Sequence, residues 1–217
     1  FDDLAGIIGW EWSRLNPVEC HSNVTCPNYP EVRYTLPNEI AFKNINTWIS
    51  EIEYKYPIVP TGYYDLAFDL WASDNQQSQT EIMINLEGGL KDESFQGIVT
   101  DGINEYAYNF YKAGEEGGQV GWNFCVFTLA NQNIVQANVK YARTVNIKAL
   151  VDQIPYACLD PSWVLPDIHF GNEVWNDQGR IEISKYSTNF NGSMIGFVGF
   201  VGNVTPPRPV RKRHHRR

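Results

Sequence analysis

Short segments in which apolar and polar residues alternate run through most of this chain, separated by Gly, Asn, Asp and Pro. A period of two places successive side chains on opposite faces of a β-strand, so each segment has one core face and one opposite face. Many short strands with turn residues between them are typical of an antiparallel β-sandwich or jelly roll. The sequence therefore predicts an all-β fold.

Four segments show the alternation most clearly, namely 63–71, 81–86, 168–175 and 181–186. In each of them the apolar positions define a face that we expect to pack into the core. In the first three, the opposite face carries polar, aromatic and sulfur-containing side chains and no ladder of charges. Its members there are Asp65, Ala67, Asp69 and Trp71; Glu81, Met83 and Asn85; and His169, Gly171, Glu173 and Trp175.

One segment departs from the β pattern. Within residues 144–154, the apolar residues Val145, Leu150, Val151 and Ile154 have the spacing of a short amphipathic helix. Pro155 lacks the backbone N–H that a helix needs, so the helix is predicted to end there. The predicted architecture is almost all β, with a single helix packed on the outside.

Residues 1–205 are predicted to form one domain, because no linker, repeat or low-complexity run interrupts them. Residues 206–217 are basic and have no apolar period, which predicts a disordered tail.

The formal net charge of the chain is −8. Without the six basic residues of the tail, 11 Lys and Arg remain against 25 Asp and Glu, so the body carries a net charge of −14. A negative body repels phosphate backbones, so no nucleic acid is expected as a partner. No segment is long and apolar enough to cross a membrane, so a membrane is not expected as a partner either.

The chain has four cysteines, Cys20, Cys26, Cys125 and Cys158, and their spacing does not suggest a zinc site. Three sequons for N-glycosylation begin at Asn23, Asn191 and Asn203. An even cysteine count together with sequons favours an oxidising, extracellular compartment, which predicts a secreted protein. We expect Cys20 to pair with Cys26 and Cys125 with Cys158; the alternative is that the thiols are free and buried.

Glu81 and Glu173 are candidates for chemistry because each shares its predicted face with a large aromatic residue or Met. Two such carboxyl groups are what glycoside hydrolysis requires, since one protonates the leaving oxygen and the other attacks or activates water. The acid needs a raised pKa, which burial and a like charge can supply. Asp69 is the candidate for a third carboxyl group that orients the nucleophile.

Five strings, in order, resemble glycoside hydrolase family 12, the small endoglucanases that include xyloglucan-specific enzymes. The resemblance extends from Trp10 to about Phe200, and the third string carries Asp69, the fourth Glu81 and the fifth Glu173. They are Gly9-Trp10-Glu11-Trp12-Ser13, Asn28-Tyr29-Pro30-Glu31-Val32, the YDLAFDLWAS of residues 64–73, Thr80-Glu81-Ile82-Met83-Ile84-Asn85-Leu86 and Gly171-Asn172-Glu173-Val174-Trp175.

This resemblance implies a jelly roll of two curved antiparallel sheets with an open cleft on the concave face. It implies a catalytic domain that hydrolyses internal β-1,4-glucosidic bonds with retention, in cellulose-like, mixed-linkage or xyloglucan chains, without metal or cofactor. Glu81 would be the nucleophile, Glu173 the general acid/base and Asp69 the helper. We expect a monomer whose partner is the polysaccharide. The residues expected to contact sugar are Trp12, Met83, Asn85, Trp122 and Trp175, and for Trp12 and Trp122 a place in the core is the alternative.

The chain departs from the family pattern at three places. Asn85 stands where the family has Trp on the face of the nucleophile, and Asn172 stands where it has Thr. No N-N-x-W motif precedes Trp10, so the family's first strand pair is expected to be truncated or lacking. These departures motivate a second hypothesis, a non-catalytic carbohydrate-binding or decoy relative. A third, a xylanase of the related jelly-roll family, predicts hydrolysis of xylan only.

Overall fold

The computed structural model describes residues 8–14, 18–20, 24–26, 29–74, 79–89, 95–115 and 121–197. The predicted tail and the sequons at Asn23 and Asn203 lie outside the described residues. The elements within the described residues are β1 (Ile8–Arg14), β2 (Val18–Cys20), β3 (Val24–Cys26), β4 (Glu31–Ala41), β5 (Trp48–Ile58), β6 (Tyr63–Ser73), β7 (Gln79–Gly88), β8 (Gly97–Thr100), β9 (Glu105–Tyr111), β10 (Asn123–Leu129), β11 (Lys140–Asn146), α1 (Ile147–Val151), β12 (Val164–Gly171), β13 (Val174–Phe190) and β14 (Ser193–Phe197).

Two layers of strands form the body. One layer has the order β4–β12–β6–β7–β10–β9–β8, and the other joins β11, β5 and β13, with β1 and β14 on the far edge of β13. The strand β13 connects the layers, because its first residues also pair with the start of β6. The pair β7–β10 is parallel, and the other described pairs of these layers are antiparallel.

The main core lies between the two layers and takes the apolar face of almost every strand. Leu66, Phe68 and Leu70 of β6 meet Trp48 and Tyr54 of β5 in it, all of them fully buried. A smaller apolar cluster covers the opposite face of the β6–β7–β10 sheet. Because both faces of β7 are covered, its residues from Thr80 to Glu87 are buried throughout.

The predicted faces of segments 63–71 and 81–86 are confirmed. Ile82, Ile84 and Leu86 point into the main core, whereas Ala67 and Met83 belong to the smaller cluster on the other side. The period of two is sufficient here because both segments lie inside long, uninterrupted strands.

Two boundary predictions are wrong. The helix begins only at Ile147, because residues up to Asn146 pair with β5, and the side chain of Asn146 caps the helix by accepting the N–H of Ala149 at 3.2 Å. The helix ends at Val151, before Pro155. Segment 168–175 is also not one strand, because β12 ends at Gly171 and β13 starts at Val174. A Cβ at Gly171 would lie 2.2 Å from the carbonyl oxygen of Pro30, so the chain turns away at a point where only Gly fits.

Cys125 and Cys158 are free, buried thiols in this structure, so the predicted disulfide between them is not shown. The two cysteines are neighbours, and a hydrogen bond from Cys125 lowers the pKa of Cys158 to about 7. Their covalent pairing stays a prediction. Cys20 and Cys26 lie in the β2–β3 hairpin, opposite Val24 and Val18 respectively; their side chains lie outside the described part of the chain.

The sequon residue Asn191 has a structural role in the turn between β13 and β14. Its backbone adopts a positive φ of 51°. Its Oδ1 accepts the backbone N–H groups of Asn46 (2.6 Å) and Thr47 (3.4 Å), and its Nδ2 donates to the carbonyl of Asn44 at 3.0 Å. A glycan on this nitrogen would leave it one N–H in place of two, and glycosylation here stays a prediction.

Candidate active site

The face of the β4–β12–β6–β7–β10–β9–β8 layer that is turned away from the main core is called here the carboxylate face. Strand register defines its rows. Across β12, β6 and β7, His169 lies opposite Asp69, and Asp69 lies opposite Met83. Two residues further along β6, Trp71 lies opposite Glu81 of β7. The predicted nucleophile and helper are thus on adjacent strands of one face.

Glu81 is buried, with 8% of its surface exposed. Its Oε2 accepts a hydrogen bond from the indole N–H of Trp122 at 2.6 Å. The ring of Trp122 lies 5.5 Å from that of Trp71, and the indole N–H of Trp71 donates to Asp69 Oδ2 at 3.3 Å. Two indole donors thus hold two carboxyl groups, and such bonds favour the ionised form of the acceptor.

Glu173 lies in the connection between β12 and β13 and outside the ladder of hydrogen bonds between strands. Its backbone N–H donates to Asp65 Oδ1 at 2.9 Å, and its carbonyl accepts the backbone N–H of Asp65 at 3.0 Å. These bonds hold Glu173 against the start of β6. The sequence prediction that Glu173 projects from a strand face was wrong, although the residue does meet the other carboxyl groups.

Asp65, Asp69, Glu81 and Glu173 form one electrostatically coupled set, called here the carboxyl cluster. Burial raises the pKa of each of them, to about 7 for Glu81 and to about 8 for Asp65 and Asp69. For Glu173, burial and then the charges of Asp65, Asp69 and Glu81 raise the pKa well above its ordinary value. Desolvated carboxyl groups that raise one another's pKa cannot all be ionised at neutral pH.

A network of ion pairs borders the cluster on the β4–β12 side. Arg33 pairs with Asp167, and His169 Nδ1 lies 2.9 Å from Glu31 Oε2. Burial lowers the pKa of His169, but the hydrogen bond and charge of Glu31 outweigh it and the pKa is raised. The charge of His169 in turn lowers the pKa of Asp69, which burial and Glu81 raise.

The residues expected to contact sugar occupy different places. Trp12 lies in the main core, 8% exposed, with its ring packed on Gly179, so the core alternative holds and stacking on sugar is not supported. Trp122 is partly buried on the carboxylate face, bonded to Glu81. Met83 belongs to the small cluster on that face. The side chain of Trp175 lies outside the described residues.

Asn85 shares the carboxylate face with Glu81, as the alternation predicts, but only 2% of it is exposed. Its side chain fills space above Gly89, where a Cβ would lie 2.6 Å from the amide nitrogen. Asn85 Oδ1 and Asp69 Oδ1 are both buried and accept no hydrogen bond from any described residue. Asp167 Oδ1, in the bordering network of ion pairs, is likewise buried without a hydrogen bond from a described residue.

Sequence reasoning did not select three residues that the structure brings to the cluster. Asp65 and His169 were on the right faces by alternation, but a face alone does not show which strands are neighbours. The hydroxyl of Tyr29 donates to the carbonyl of Ala67 at 3.3 Å, and burial followed by Asp69, Glu31, Asp65 and Glu173 raises its pKa. Tyr29 precedes β4, and the sequence around it, Asn28-Tyr29-Pro30-Glu31-Val32, does not indicate this contact.

A cavity of about 790 Å³ lies near the end of β7, bordered by the β5–β6 turn. No residue of the carboxyl cluster lines it, so we do not assign the chemistry to it. Glu87 faces this cavity because a β-bulge beside Leu66 turns it away from the face of Glu81. Its described lining is Val59, Pro60, Gly62, Tyr63, Tyr64, Glu87, Gly88, Gly89, Gln132, Asn133 and Val135.

The carboxyl cluster predicts that the protein loses stability as the pH rises. Because the folded pKa values are raised, the native state binds more protons than the unfolded state between their ordinary values near 4 and the folded values near 7 to 8. The stabilising effect is complete at about pH 4 and is lost through about pH 8. The raised pKa of His169 acts in the same direction.

We therefore expect the free energy of unfolding, measured by urea denaturation, to be several kcal/mol lower at pH 8.5 than at pH 5. Glu81→Gln should flatten this dependence, and Glu39→Gln, at an exposed position, should leave it unchanged. A stability that rises over this interval would contradict the shared burial of the carboxyl groups.

The described strands form the β-jelly roll of the family 12 glycoside hydrolases. The predicted fold, almost all β with one short helix, is confirmed. Among the solved structures it resembles, a family 12 xyloglucanase from Bacillus licheniformis in complex with ligand has a TM-score of 0.64 and 19% identity, over 88% of this chain and 84% of that one.

Two endoglucanases are also similar. The one from Rhodothermus marinus has a TM-score of 0.57 and 15% identity, over 78% of this chain and 75% of that chain. Endoglucanase 3 from Trichoderma harzianum has a TM-score of 0.55 and 19% identity, over 75% and 71% respectively. Identities this low establish the shared fold, and activity has to be argued from the site. The sequence matches no protein-family model and no curated protein. Among the described residues, no helix is long and apolar enough to cross a bilayer.

Proposed function

We propose that this protein is a retaining endo-β-1,4-glucanase of family 12, with Glu81 as nucleophile, Glu173 as general acid/base and Asp69 as helper. One observation carries the proposal: Glu81 and the partly buried Glu173 belong to the same carboxyl cluster, but their environments differ. Glu81 receives an indole N–H bond that favours its ionised form, whereas burial, followed by the charges of the three other carboxyl groups, raises the pKa of Glu173 well above its ordinary value. Two carboxyl groups with pKa values pushed apart are the requirement for acid and nucleophile.

The reaction would proceed in two displacements. Glu173 gives its proton to the glycosidic oxygen while a carboxylate oxygen of Glu81 bonds to the anomeric carbon, and the leaving chain departs as an alcohol. Glu173, now ionised, takes a proton from water, and the resulting hydroxide attacks the same carbon. The bond to Glu81 breaks, the carboxylate is restored, and the anomeric configuration is retained.

Asp69 would assist from the neighbouring strand. Its pKa of about 8 lies above the value of about 7 for Glu81, so Asp69 loses its proton after Glu81 does, and the Trp71 N–H occupies its Oδ2. A protonated Asp69 can donate a hydrogen bond to Glu81 and so orient the attacking oxygen.

The substrate class follows from the surface around the cluster. The partly buried indole rings of Trp71 and Trp122 lie on the carboxylate face beside Glu81 and suit the faces of glucose rings. The acidic body suits an uncharged polymer. The similar solved structures are described as a xyloglucanase and endoglucanases. We therefore propose β-1,4-glucan chains as substrate and partner, and a secreted monomer as the working form.

The test is release of reducing ends from four polymers: xyloglucan, barley mixed-linkage glucan, carboxymethyl cellulose and xylan. We expect release from at least one of the first three, with a rapid fall in viscosity that marks internal cleavage. Proton NMR of early product should show the β-anomer first. Release from xylan alone would favour the xylanase hypothesis, and binding without release would favour a carbohydrate-binding relative, which the buried Asn85 motivates.

Trp122→Phe tests the indole bond to Glu81. Removing the donor at 2.6 Å withdraws a bond to the ionised form, so the pKa of Glu81 should rise further. We expect the acid limb of kcat/KM to move up by about one pH unit and kcat to fall about tenfold. Trp163→Phe, at a partly buried position packed against the main core, is the matched control. An acid limb that stays in place would contradict the assigned role.

A further inference from the structure

Asp65 touches the candidate acid/base, and the mechanism above gives it no part. Only 1% of it is exposed. Its Oδ1 accepts the Glu173 N–H at 2.9 Å, and its own N–H donates to the Glu173 carbonyl at 3.0 Å. Two hydrogen bonds in opposite directions fix the backbone of Glu173 relative to β6. Glu173 needs this support because it lies in the connection between two strands.

A second chain of hydrogen bonds holds Asp65 from the core side. Asn172 donates its Nδ2 to the Asp65 carbonyl and accepts the indole N–H of Trp10 at 3.0 Å. Asn172 is fully buried, and Trp10 belongs to the main core. The backbone of Asp65 is therefore anchored on one side, while its carboxyl group bonds to Glu173 on the other.

The charge of Asp65 acts on the same residue. After burial, Asp65 makes the largest contribution to the raised pKa of Glu173, ahead of Asp69 and Glu81. Asp65 also raises the pKa of Glu81, and the Tyr29 hydroxyl faces the same group of carboxyls. A general acid must keep its proton at a pH where the nucleophile is ionised, and a like charge beside it has that effect.

We propose that Asp65 is a positioning residue for the acid/base: it holds the backbone of Glu173 in place, and at alkaline pH, where Asp65 is ionised, its charge opposes loss of the proton from the Glu173 carboxyl group. This role rests on the proposed function, in which Glu173 is the acid/base. Asp65 acts through Glu173 and does not itself touch the substrate.

Asp65→Asn separates the two parts of the role, because the amide Oδ1 still accepts the N–H of Glu173 while the charge is gone. We expect kcat at the optimum to stay within about threefold and the alkaline limb of kcat/KM to move down by about one pH unit. Asp65→Ala removes the acceptor as well and should lower kcat about 100-fold at every pH, with little change in KM. Asp152→Asn, at an exposed position, should leave both limbs unchanged.

An Asp65→Asn profile that overlays the wild-type profile would overturn the proposal. A second readout needs no substrate: ¹³C NMR titration of the Glu173 carboxyl carbon should show a lower pKa in Asp65→Asn than in the wild type. If the wild type releases no sugar from any glucan, the proposed function fails, and the titration still decides the coupling. An unchanged Glu173 titration refutes the role of Asp65 even in an active enzyme. If Asp65→Ala does not fold, the Asn variant and the titration remain decisive.

Discussion

Glu81→Gln should abolish glucan hydrolysis and leave the fold intact. The amide cannot form the covalent bond to the anomeric carbon, so kcat should fall by at least about 10⁴-fold. The replacement has the same shape, and its amide oxygen can still accept the indole N–H of Trp122. Removing one charge from four buried carboxyl groups also relieves repulsion, so thermal stability at pH 7.5 should stay equal or rise.

The measurement is reducing-end release together with a melting curve for each variant. Glu105→Gln is the matched control, since it lies on β9 of the same layer but is exposed. It should retain wild-type kcat. Full activity of Glu81→Gln would exclude Glu81 as the nucleophile, and a loss of folding would show that the buried carboxylate has a structural role that its raised pKa does not indicate.

Glu173→Gln should lower kcat on polysaccharide about 10³-fold, because the leaving oxygen is no longer protonated. Its effect should depend on the leaving group. An aryl β-cellobioside with a dinitrophenolate leaving group needs no protonation, so the first displacement should remain fast. The second should be slow, because no base activates water, and the glycosyl-enzyme should accumulate as a burst followed by slow turnover.

Azide provides the control for this assignment, since it attacks without a general base. Added azide should restore turnover of Glu173→Gln and give the β-glycosyl azide, the product of two inversions. In Glu81→Ala, azide would attack the substrate directly and give the α-glycosyl azide. Exchange of these two products between the variants would reverse the assigned roles of Glu81 and Glu173.

The faces of β6 and β7 could be predicted because a period of two encodes which side chains are buried. Asp69 and Glu81 were placed on one face from alternation alone, and the strand register confirms it. The same reasoning was wrong for segment 168–175, where the strand ends at Gly171. At that end a Cβ on Gly171 would lie 2.2 Å from the carbonyl oxygen of Pro30, which is far away in the sequence.

The cysteines show the same difference between what the sequence predicts and what the tertiary structure decides. Cys125 and Cys158 are neighbours, as their predicted pairing implies, but both are thiols. Residue type and count indicate which cysteines are available, whereas bond formation depends on the relative geometry of two sulfur atoms. Trp12 is a parallel case, because an aromatic residue in an alternating strand suits a core and a sugar-binding surface equally well.

The local sequence pattern thus specified the all-β class, the strands β6 and β7, and the shared face of Asp69 and Glu81, because alternation and turn residues act over only a few positions. Tertiary structure decided which carboxyl groups meet. The order β12–β6–β7 brings Asp69 beside Glu81, and the break after Gly171 brings Glu173 against Asp65. Raised pKa values arise only from that assembly, because burial and like charges act through space and not along the chain.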